Sequence, residues 1–326
     1  MPRPGILLGE PSASYAGTRI SRRGALRRLA LLGIAAGASG PLLTACGTSP
    51  SAIPPAPPPA PRPPAPTDLP GRGPNTPIGR ELSFPGPTGD LRGVWAAPVG
   101  ELAGAVLVVH DIQGLTSHFS DMVGRFAGAG YAALCVDLMS GQDATAAFTD
   151  PTEAPMALAS MATAKLVARL RAGIVELGRR APGAMLGAVG FGYGGGALWR
   201  LLDAGDPVLA AVVSFYGVTP DDVDLRRSRA AILALYPGND RKLSESQDNA
   251  DMAMTRANLV RKSIAYPHTD AGFFNDTDTR YSPAAAARAW RSTTDWFSQH
   301  LARPPVQPNL VARASASPPV KGAKPS

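Results

Sequence analysis

A glycine-rich stretch, GFGYGG at residues 190–195, has the pattern of a turn that carries the nucleophile in many hydrolytic enzymes. Residues 185–191 are apolar apart from their glycines and predict a buried strand, and residues 193–206 have the apolar spacing of a helix. A sharp turn between such a strand and helix lifts a Ser or Cys side chain above the sheet, in the pattern G-x-Ser-x-G. Here the apex residue is Gly192, which has no side chain and therefore supplies no nucleophile.

The same glycines match a second pattern, the G-x-G-x-x-G of dinucleotide-binding folds, through Gly190, Gly192 and Gly195. That fingerprint belongs to the first strand of its fold, whereas at least four predicted strands precede this one. The next predicted strand ends in SFYG, at residues 214–217, and offers no carboxylate for a ribose. The turn of a hydrolytic enzyme is therefore the favoured interpretation.

Predicted strands alternate with predicted helices along the chain. Apolar runs predict strands at residues 81–84, 91–97, 105–110, 132–137, 185–191, 210–215, 231–236 and 263–266. Helical spacing predicts three helices over residues 154–180, 193–206 and 244–260. Two more helices are predicted after caps at Thr116 or Ser117 and at Ser282. This alternation predicts a single α/β domain with a mostly parallel central sheet flanked by helices.

In sheets of this kind a ligand lies beyond the carboxyl ends of the strands. Four segments follow predicted strands at that edge, namely residues 110–113, the turn at Gly192, Asp240 and residues 268–275. We therefore expect these four segments to converge on one site.

The first 77 residues are predicted to export the protein and to attach it to a membrane, and they are not expected to belong to the folded domain. Arg22 and Arg23 precede an uncharged apolar segment that ends in Leu43-Thr-Ala-Cys46, the pattern of a twin-arginine lipoprotein signal peptide over residues 1–45. Residues 46–77 are expected to form a stiff tether, because residues 50–77 contain 13 prolines. The predicted domain spans residues 78–303, and a disordered tail spans residues 304–326. Lipidation of Cys46 would anchor the protein on the outer face of a bacterial cytoplasmic membrane.

Charge and cysteine content argue against nucleic-acid binding and against an internal disulfide. The net charge is +7, but residues 1–45 carry six Arg and one Glu, so the rest of the chain is near +2. No basic run is interleaved with aromatic residues, and no nucleic-acid partner is expected. The chain has two cysteines. Lipidation of Cys46 would leave Cys135 without a partner for a disulfide, as a small buried hydrophobe.

Five ordered segments carry a family resemblance: VVHDIQGL (108–115), GYAALCVDL (130–138), GFGYGG (190–195), VSFYG (213–217) and YPHTDAGFFND (266–276). They are similar to V-[IV]-H-E-x-x-G-L, G-Y-x-A-L-x-P-D-L, G-F-C-[FY]-G-G, F-Y-G and Y-P-x-x-x-H-G-F-x-N-D of the dienelactone hydrolase family. The resemblance covers residues 80–302 and implies an α/β-hydrolase fold. It also implies ester or lactone hydrolysis by a Cys-His-Asp triad.

This chain departs from that triad at two of its three positions. Gly192 occupies the position of the cysteine, and Ala271 that of the histidine. Asp240 is the retained acid, and Asp111 stands where the family has a Glu near the resting thiol. The resemblance further implies an oxyanion hole made by the backbone N–H groups of Ile112 and Tyr193, which need no particular side chain.

Other residues could line the pocket or replace the lost groups. His268 lies near the lost histidine, and carboxylate pairs of Asp111 with Asp270 or Asp240 could activate water. Each of these residues is also compatible with a solvated position at the mouth of the pocket. Gln113 is expected in the pocket wall, whereas His110 and His118 are expected to be structural. Spacing typical of metal ligands is absent from the sequence, so neither a metal nor another cofactor is expected.

Three functional hypotheses remain. The leading one is a membrane-tethered pseudoenzyme that binds a small carboxylate, ester or lactone or acts as a scaffold. The second is an ester or lactone hydrolase with a non-standard catalytic arrangement. The third is a structural protein of the cell envelope. The sequence leaves the ligand, protein partner and oligomeric state open.

Overall fold

The computed structural model describes residues 69–141, 144–205 and 208–302. The predicted signal peptide, Cys46, most of the tether and the tail lie outside the described residues. Residues 69–77, which the sequence assigns to the tether, form turns that contact the domain. Arg72 pairs with Asp121, and the Arg125 guanidinium donates to the carbonyl oxygen of Pro70 at 3.5 Å. The packed part of the chain therefore begins before Ile78.

The described residues form one sheet of eight strands in the order β1-β2-β4-β3-β5-β6-β7-β8. β1 and β2 are antiparallel to their neighbours, and the remaining pairs are parallel. The predicted mostly parallel sheet is confirmed. The strands are β1 (Arg80–Gly86), β2 (Gly89–Ala96), β3 (Gly104–Val109), β4 (Tyr131–Val136), β5 (Leu186–Phe191), β6 (Leu209–Phe215), β7 (Ala231–Pro237) and β8 (Arg261–Tyr266).

Helices cover both faces of the sheet, as predicted for the α/β class. The helices are α1 (Ser117–Gly128), α2 (Glu153–Ala159), α3 (Thr163–Arg180), α4 (Tyr193–Asp203), α5 (Arg241–Arg256) and α6 (Pro283–His300). α1 and α6 pack together through the ring of Phe126, which contacts Trp290 and Phe297. α3 and α4 also pack against each other, and α5 packs on β7 and β8.

The predicted single helix over residues 154–180 is wrong, because the chain breaks it into α2 and α3. The Leu158 carbonyl accepts hydrogen bonds from the Met161 N–H at 3.1 Å and from the Tyr193 hydroxyl at 2.9 Å. Ala162 then adopts an extended ψ of 135° before α3 begins. A hydroxyl from the start of α4 therefore helps to end α2, and it fixes this short helix beside the glycine-rich turn.

The centre of the sheet is apolar along whole strands. Every residue of β3, β4 and β5 is buried, as expected for strands covered on both faces. Cys135 lies in β4 with none of its surface exposed, and burial raises the pKa of its thiol. The predicted role of Cys135 as a small buried hydrophobe is confirmed. Within the described ranges, no helix is both long and apolar enough to cross a membrane.

Glycines allow α4 to start directly against two strands. A Cβ atom on Gly194 would lie 2.3 Å from the carbonyl oxygen of Val109 and 2.4 Å from that of His110. A Cβ on Gly190 would lie 2.3 Å from the carbonyl oxygen of Gly194. Backbone atoms occupy these positions, so any side chain would push α4 away from β3 and β5.

We expect Gly194→Ala to lower the free energy of unfolding by about 3 kcal/mol, because its methyl group collides with the backbone of β3. Gly192→Ala is the matched control. Its Cβ would meet no atom closer than 3.7 Å, and only the strained φ of +52° opposes it, which costs about 1 kcal/mol. Urea unfolding of the two variants measures the difference, and equal losses would contradict this account of the turn.

Candidate functional site

The backbone of Gly192 has the conformation of a nucleophile turn. Its φ is +52° and its ψ is −112°, and its N–H donates to the carbonyl oxygen of Phe215 at 2.9 Å. A Cβ atom here would lie 3.7 Å from Cβ of Asp111 and 3.8 Å from the ring of Tyr216, which are ordinary contact distances. The turn therefore has room for a nucleophilic side chain, but Gly192 provides none.

A pocket of about 470 Å³ adjoins Gly192. Ile112 and Tyr193, the predicted donors of an oxyanion hole, both line it. The Tyr193 N–H belongs to the first turn of α4, where a helix supplies no acceptor, and the Ile112 N–H has no acceptor among the described residues. The remaining lining residues are Leu158, Ala159, Met161, Thr163, Leu166, Gly196, Ala197, Arg200, Val218 and Pro220.

Asp111 lies beside the vacant nucleophile position at the end of β3. One of its carboxylate oxygens accepts the Gln113 N–H at 2.9 Å. Burial raises the pKa of Asp111 above its ordinary value, although this hydrogen bond opposes the shift, and the negative charge of Asp278 raises the pKa further. A carboxyl group with a raised pKa in a cleft is a candidate for acid–base chemistry.

Tyr216 connects the turn to the segment of the lost histidine. Its backbone has a φ of +40°, and its N–H donates to the carbonyl oxygen of Leu235 at 2.7 Å. Its ring packs edge-on against that of Phe273, with centroids 5.6 Å apart. Burial raises the pKa of Tyr216 far above its ordinary range, so its hydroxyl stays protonated. Ala271 lies two residues before Phe273, so the ring of Tyr216 joins the turn at Gly192 to the segment that contains Ala271.

An ion pair that the sequence did not reveal lies next to the histidine position. Arg280 donates to both carboxylate oxygens of Asp278, at 2.9 and 2.6 Å. A Cβ atom on Gly272, the residue after Ala271, would lie 2.9 Å from this carboxylate and 3.1 Å from the guanidinium. The hydrogen bond from Arg280 lowers the pKa of Asp278, whose charge acts on Asp111. Only the three-dimensional fold could have identified this pair.

Asp240, the acid that the resemblance assigns to the triad, begins α5. Its carboxylate accepts the Leu243 N–H at 3.1 Å and thereby caps the helix. The expected partial exposure of Asp240 is confirmed, whereas Arg241 pairs with Glu245 instead. The neighbouring N–H of Asn239 donates to the carbonyl oxygen of Thr269, which brings Asp240 to the segment that contains Ala271.

Four predicted pocket residues do not line the pocket beside Gly192, namely Asp111, Gln113, His268 and Asp270. Asp111 lies next to the turn itself, where a Cβ atom on Gly192 would lie 3.7 Å from its Cβ. His268 and Asp270 are exposed, because the residue between them, Thr269, is buried and its hydroxyl donates to the carbonyl oxygen of Tyr266 at 2.8 Å. The backbone of His268 is left-handed, with a φ of +59°. The side chain of Gln113 is also exposed, and only its N–H takes part in the site.

His110 and His118 have the contacts of structural residues, as expected. Nε2 of His110 accepts the Leu138 N–H at 3.0 Å, so Nδ1 carries the proton that is donated to the carbonyl oxygen of Asp111 at 2.8 Å. Burial lowers the pKa of His110, which keeps this ring neutral. His118 pairs with Asp276 at 2.7 Å. His110 therefore joins the segments that follow β3 and β4, and His118 joins α1 to the loop that contains Asp276.

The described residues contain no cluster of three or more His, Cys, Asp or Glu side chains that could hold a metal ion. The N–H groups of Ile112 and Tyr193 are of the kind that binds a carbonyl oxygen, and Asp111 is nearby as a candidate proton acceptor.

Comparison with known proteins gives a consistent result. The sequence profile described as "Dienelactone hydrolase family" matches residues 91–301. A "Putative carboxymethylenebutenolidase" of Salmonella typhi is 29% identical over 234 residues, which cover 67% of this chain and 86% of that protein. A protein of the same name from Escherichia coli strain K12 is 30% identical over 209 residues, or 60% of this chain and 76% of that protein.

The structural comparison supports the fold. The crystal structure of a "Putative Dienelactone Hydrolase" from Klebsiella pneumoniae superposes with a TM-score of 0.61 and 24% sequence identity. The match covers 68% of this chain and 98% of that chain. The predicted α/β-hydrolase fold is therefore confirmed.

We expect Asp111→Asn to raise the free energy of unfolding at pH 7 by on the order of 1 kcal/mol. Burial raises the pKa of this carboxyl in the folded state, so ionisation at neutral pH destabilises the fold. This penalty is lost as the pH falls through the folded-state pKa, because the carboxyl is then protonated in the native protein. Denaturant unfolding at pH 7 and at about pH 3, below the ordinary pKa of Asp, measures this effect. The stability difference between Asp111→Asn and the unchanged protein should be smaller at the lower pH.

The exposed carboxylate of Asp248 provides the control, since Asp248→Asn removes the same charge without relieving burial. An Asp111→Asn variant that is less stable than the unchanged protein at pH 7 would contradict the account of this carboxyl.

Proposed function

Because the chain belongs to the dienelactone hydrolase family, we propose that it is a member without the covalent mechanism of that family. In this proposal the pocket beside Gly192 binds a small carboxylate, ester or lactone without turning it over. The name of the curated relatives, carboxymethylenebutenolidase, favours a carboxylate-bearing butenolide or a related ester as the ligand class.

The observation that carries the proposal is an intact nucleophile turn whose apex is a glycine. The φ and ψ of Gly192, and the space above it, suit a nucleophile that the sequence does not provide. Ala271 likewise offers no base to activate one. Loss of a triad member typically lowers the rate by about 10⁴- to 10⁶-fold, and the residual rate comes from the oxyanion hole and binding.

The volume, the lining and the backbone N–H groups of the pocket are suited to binding a small molecule. The pocket of about 470 Å³ lies within the usual range for small-molecule sites, about 300 to 1,000 Å³, and most of its lining is apolar. The N–H groups of Ile112 and Tyr193 at its inner end are suited to a ligand carbonyl or carboxylate oxygen. Removal of two polar side chains leaves more room there, which is compatible with ligand retention.

A second candidate, hydrolysis by an activated water, is favoured by the position of Asp111. A water molecule in the space above Gly192 would lie beside this carboxylate, and the raised pKa makes Asp111 a stronger base than an exposed Asp. Asp111 would accept the proton as the water oxygen adds to the ester carbonyl, and the alcohol would leave with that proton. A scaffold or structural envelope role is the third alternative and predicts no saturable ligand.

We also propose that the protein is exported by the twin-arginine route and tethered to the outer face of the cytoplasmic membrane by a lipid on Cys46. The signal pattern at Arg22 and Arg23 and the proline-rich segment from residue 50 support this location. The domain would then be held clear of the membrane, with its pocket open to extracytoplasmic ligands.

We expect the Gly192→Cys, Ala271→His double variant to hydrolyse esters or lactones at least about 100-fold faster than the unchanged protein. The reason is that a thiol returns to a turn whose backbone suits a nucleophile, and a base returns to the segment that Tyr216 joins to this turn. A p-nitrophenyl ester assay measures the rate. Each single variant is a matched control and should stay near the background, because a nucleophile and its base act as a unit.

The same assay separates the alternatives. Turnover by the unchanged protein that disappears in Asp111→Asn would replace the non-catalytic proposal with the water mechanism. A folded double variant without activity, together with no saturable ligand for the unchanged protein, would favour the structural role.

We expect Cys46→Ser to move the protein from the membrane fraction to the soluble extracytoplasmic fraction, because the acceptor of the lipid is lost. Fractionation of cells followed by immunoblotting measures this shift. Cys135→Ser is the matched control and should stay with the membranes, since Cys135 is buried in β4. Retention of the Cys46→Ser protein on membranes would overturn the proposed anchor.

A further inference from the structure

β8 forms one edge of the sheet in the described part of the chain, and its backbone is paired on one side only, with β7. The carbonyl oxygens of Val260 and Tyr266 accept the N–H groups of Ile232 and Gly238 at 2.9 and 2.8 Å. In a parallel pair, alternate residues of a strand turn both of their backbone polar groups toward the same neighbour. The even-numbered residues from 260 to 266 therefore face β7.

The odd-numbered residues of β8 face away from the sheet. Arg261, Ser263 and Ala265 direct their N–H and C=O groups to the open edge, where no other strand of the described residues pairs with them. Such a row of backbone donors and acceptors is a template for a further strand. Arg261 and Ala265 are exposed, so the edge is accessible.

Four cations lie along this edge. Arg261 and Lys262 belong to β8 itself, and the Arg288 guanidinium on α6 lies 5.8 Å from the ring centroid of Tyr266, at the far end of the strand. Arg291 follows one turn later on α6. All four cationic residues are exposed, and none forms an ion pair with a carboxylate among the described residues.

The positive charge is a property of this surface and not of the domain as a whole. Residues 69–302 carry 21 Lys and Arg against 23 Asp and Glu, so a basic edge is not expected from composition. An open groove of about 610 Å³ lies between α5 and the start of β8. It is lined by Gln247, Asp251, Thr255, Arg261, Lys262 and Ser263.

The two sides of the edge differ in charge. Asp251 on α5 accepts a hydrogen bond from the Ser263 hydroxyl, so the odd-numbered side chains of β8 face α5. Tyr266 contacts Arg288, so the even-numbered side chains, including that of Lys262, face α6. Three of the four cations therefore lie on the α6 side of the edge, and the acid in the groove lies on the α5 side.

We propose that the open edge of β8 binds an extended acidic segment of another protein, which adds to the sheet as a further strand. Its backbone pairs with the odd-numbered residues of β8. Its acidic side chains, at every second position, meet the three cations on the α6 side. None of these cations lines the pocket beside Gly192, so the inference is independent of the function proposed for that pocket.

Two other occupants fit the edge less well. A second copy of this chain would bring the same cations to the edge, and cations on edge strands discourage pairing between copies. An anionic lipid surface would attract the cations but would leave the backbone groups of the edge without partners. An acidic strand satisfies both sets of groups.

The test uses two capped, fluorescein-labelled peptides. SETEVES has Glu at every second position, and SQTQVQS has the same length without charge. Fluorescence anisotropy measures Kd for the full chain, with Cys46→Ser in every protein so that no detergent is present. We expect SETEVES to bind at least about tenfold more tightly than SQTQVQS at low salt, and the difference should shrink as the ionic strength rises.

Charge variants locate the site. The Arg288→Gln, Arg291→Gln double variant should weaken SETEVES about fivefold to tenfold, because two of the facing cations are lost. The matched control is the Arg80→Gln, Arg92→Gln double variant. It removes two exposed arginines from β1 and β2, at the opposite edge of the sheet, and should leave the Kd unchanged.

A backbone variant tests the pairing. Ala265→Pro removes one N–H from the open edge and none from the pairing with β7, so the fold tolerates this proline. We expect it to weaken SETEVES about tenfold. Ala265→Gly keeps the N–H and should bind as the unchanged protein does.

N-methylated peptides test strand addition without any change to the protein. One form of SETEVES carries N-methyl groups on its three Glu residues, and the other carries them on Thr, Val and the last Ser. Only alternate N–H groups of an added strand face the sheet, so one form should lose binding and the other should keep it.

Several results would overturn the inference. Equal binding of SETEVES and SQTQVQS removes the role of charge, and equal binding of the two N-methylated forms removes strand addition. Without peptide binding, sedimentation on phosphatidylglycerol vesicles that Arg288→Gln, Arg291→Gln abolishes assigns the surface to lipid headgroups. A dimer in size-exclusion chromatography that Ala265→Pro dissociates, again without peptide binding, assigns it to a second copy. Absence of all three interactions leaves the edge without the proposed role.

Discussion

The conformation of Gly192 is the constraint on which the site depends. Its N–H is held by the end of β6, and the close approach of the Gly194 backbone to β3 fixes the start of α4. These two contacts place the first turn of α4, with its unpaired N–H groups, at the inner end of the pocket. Because backbone contacts make this geometry, it does not depend on a side chain at Gly192.

The order of the elements could be predicted because the central strands are covered on both faces. Such strands are continuously apolar, and their alternation with helical spacing defines a parallel sheet. The break between α2 and α3 could not be predicted, since the apolar spacing continues through residues 160–162 and a partner distant in sequence, the hydroxyl of Tyr193, helps to end α2. The predicted helix over residues 244–260 begins three residues later than α5 does. The sequence does not show that the side chain of Asp240 accepts the Leu243 N–H and so starts the helix at Arg241.

The candidate site was predictable where short motifs fix the backbone and was not predictable elsewhere. Gly192, Ile112 and Tyr193 follow from the turn and the preceding strand, and all three line the pocket. Arg200 lies on the pocket face of α4, but the sequence shows only an arginine on a helix. The pair of Asp278 and Arg280 reaches the site through a loop whose path no motif specifies. His268 and Asp270 were expected in the pocket, but alternation around the buried Thr269 turns them outward.

The residues at the triad positions and Asp111 differ in how they affect the stability of the fold. A cysteine at the φ of Gly192 would carry backbone strain of about 1 kcal/mol or more, which glycine avoids. Ala271 avoids placing an ionisable ring next to the pair of Asp278 and Arg280. Asp240 keeps a stabilising role as a helix cap, so its presence alone is no sign of catalysis. Asp111 accepts the Gln113 N–H, but burial outweighs this hydrogen bond and disfavours the charged form of its carboxyl group. A carboxyl group whose pKa is raised by burial next to the turn at Gly192 is typical of functional sites, and it favours a functional role over a purely structural one.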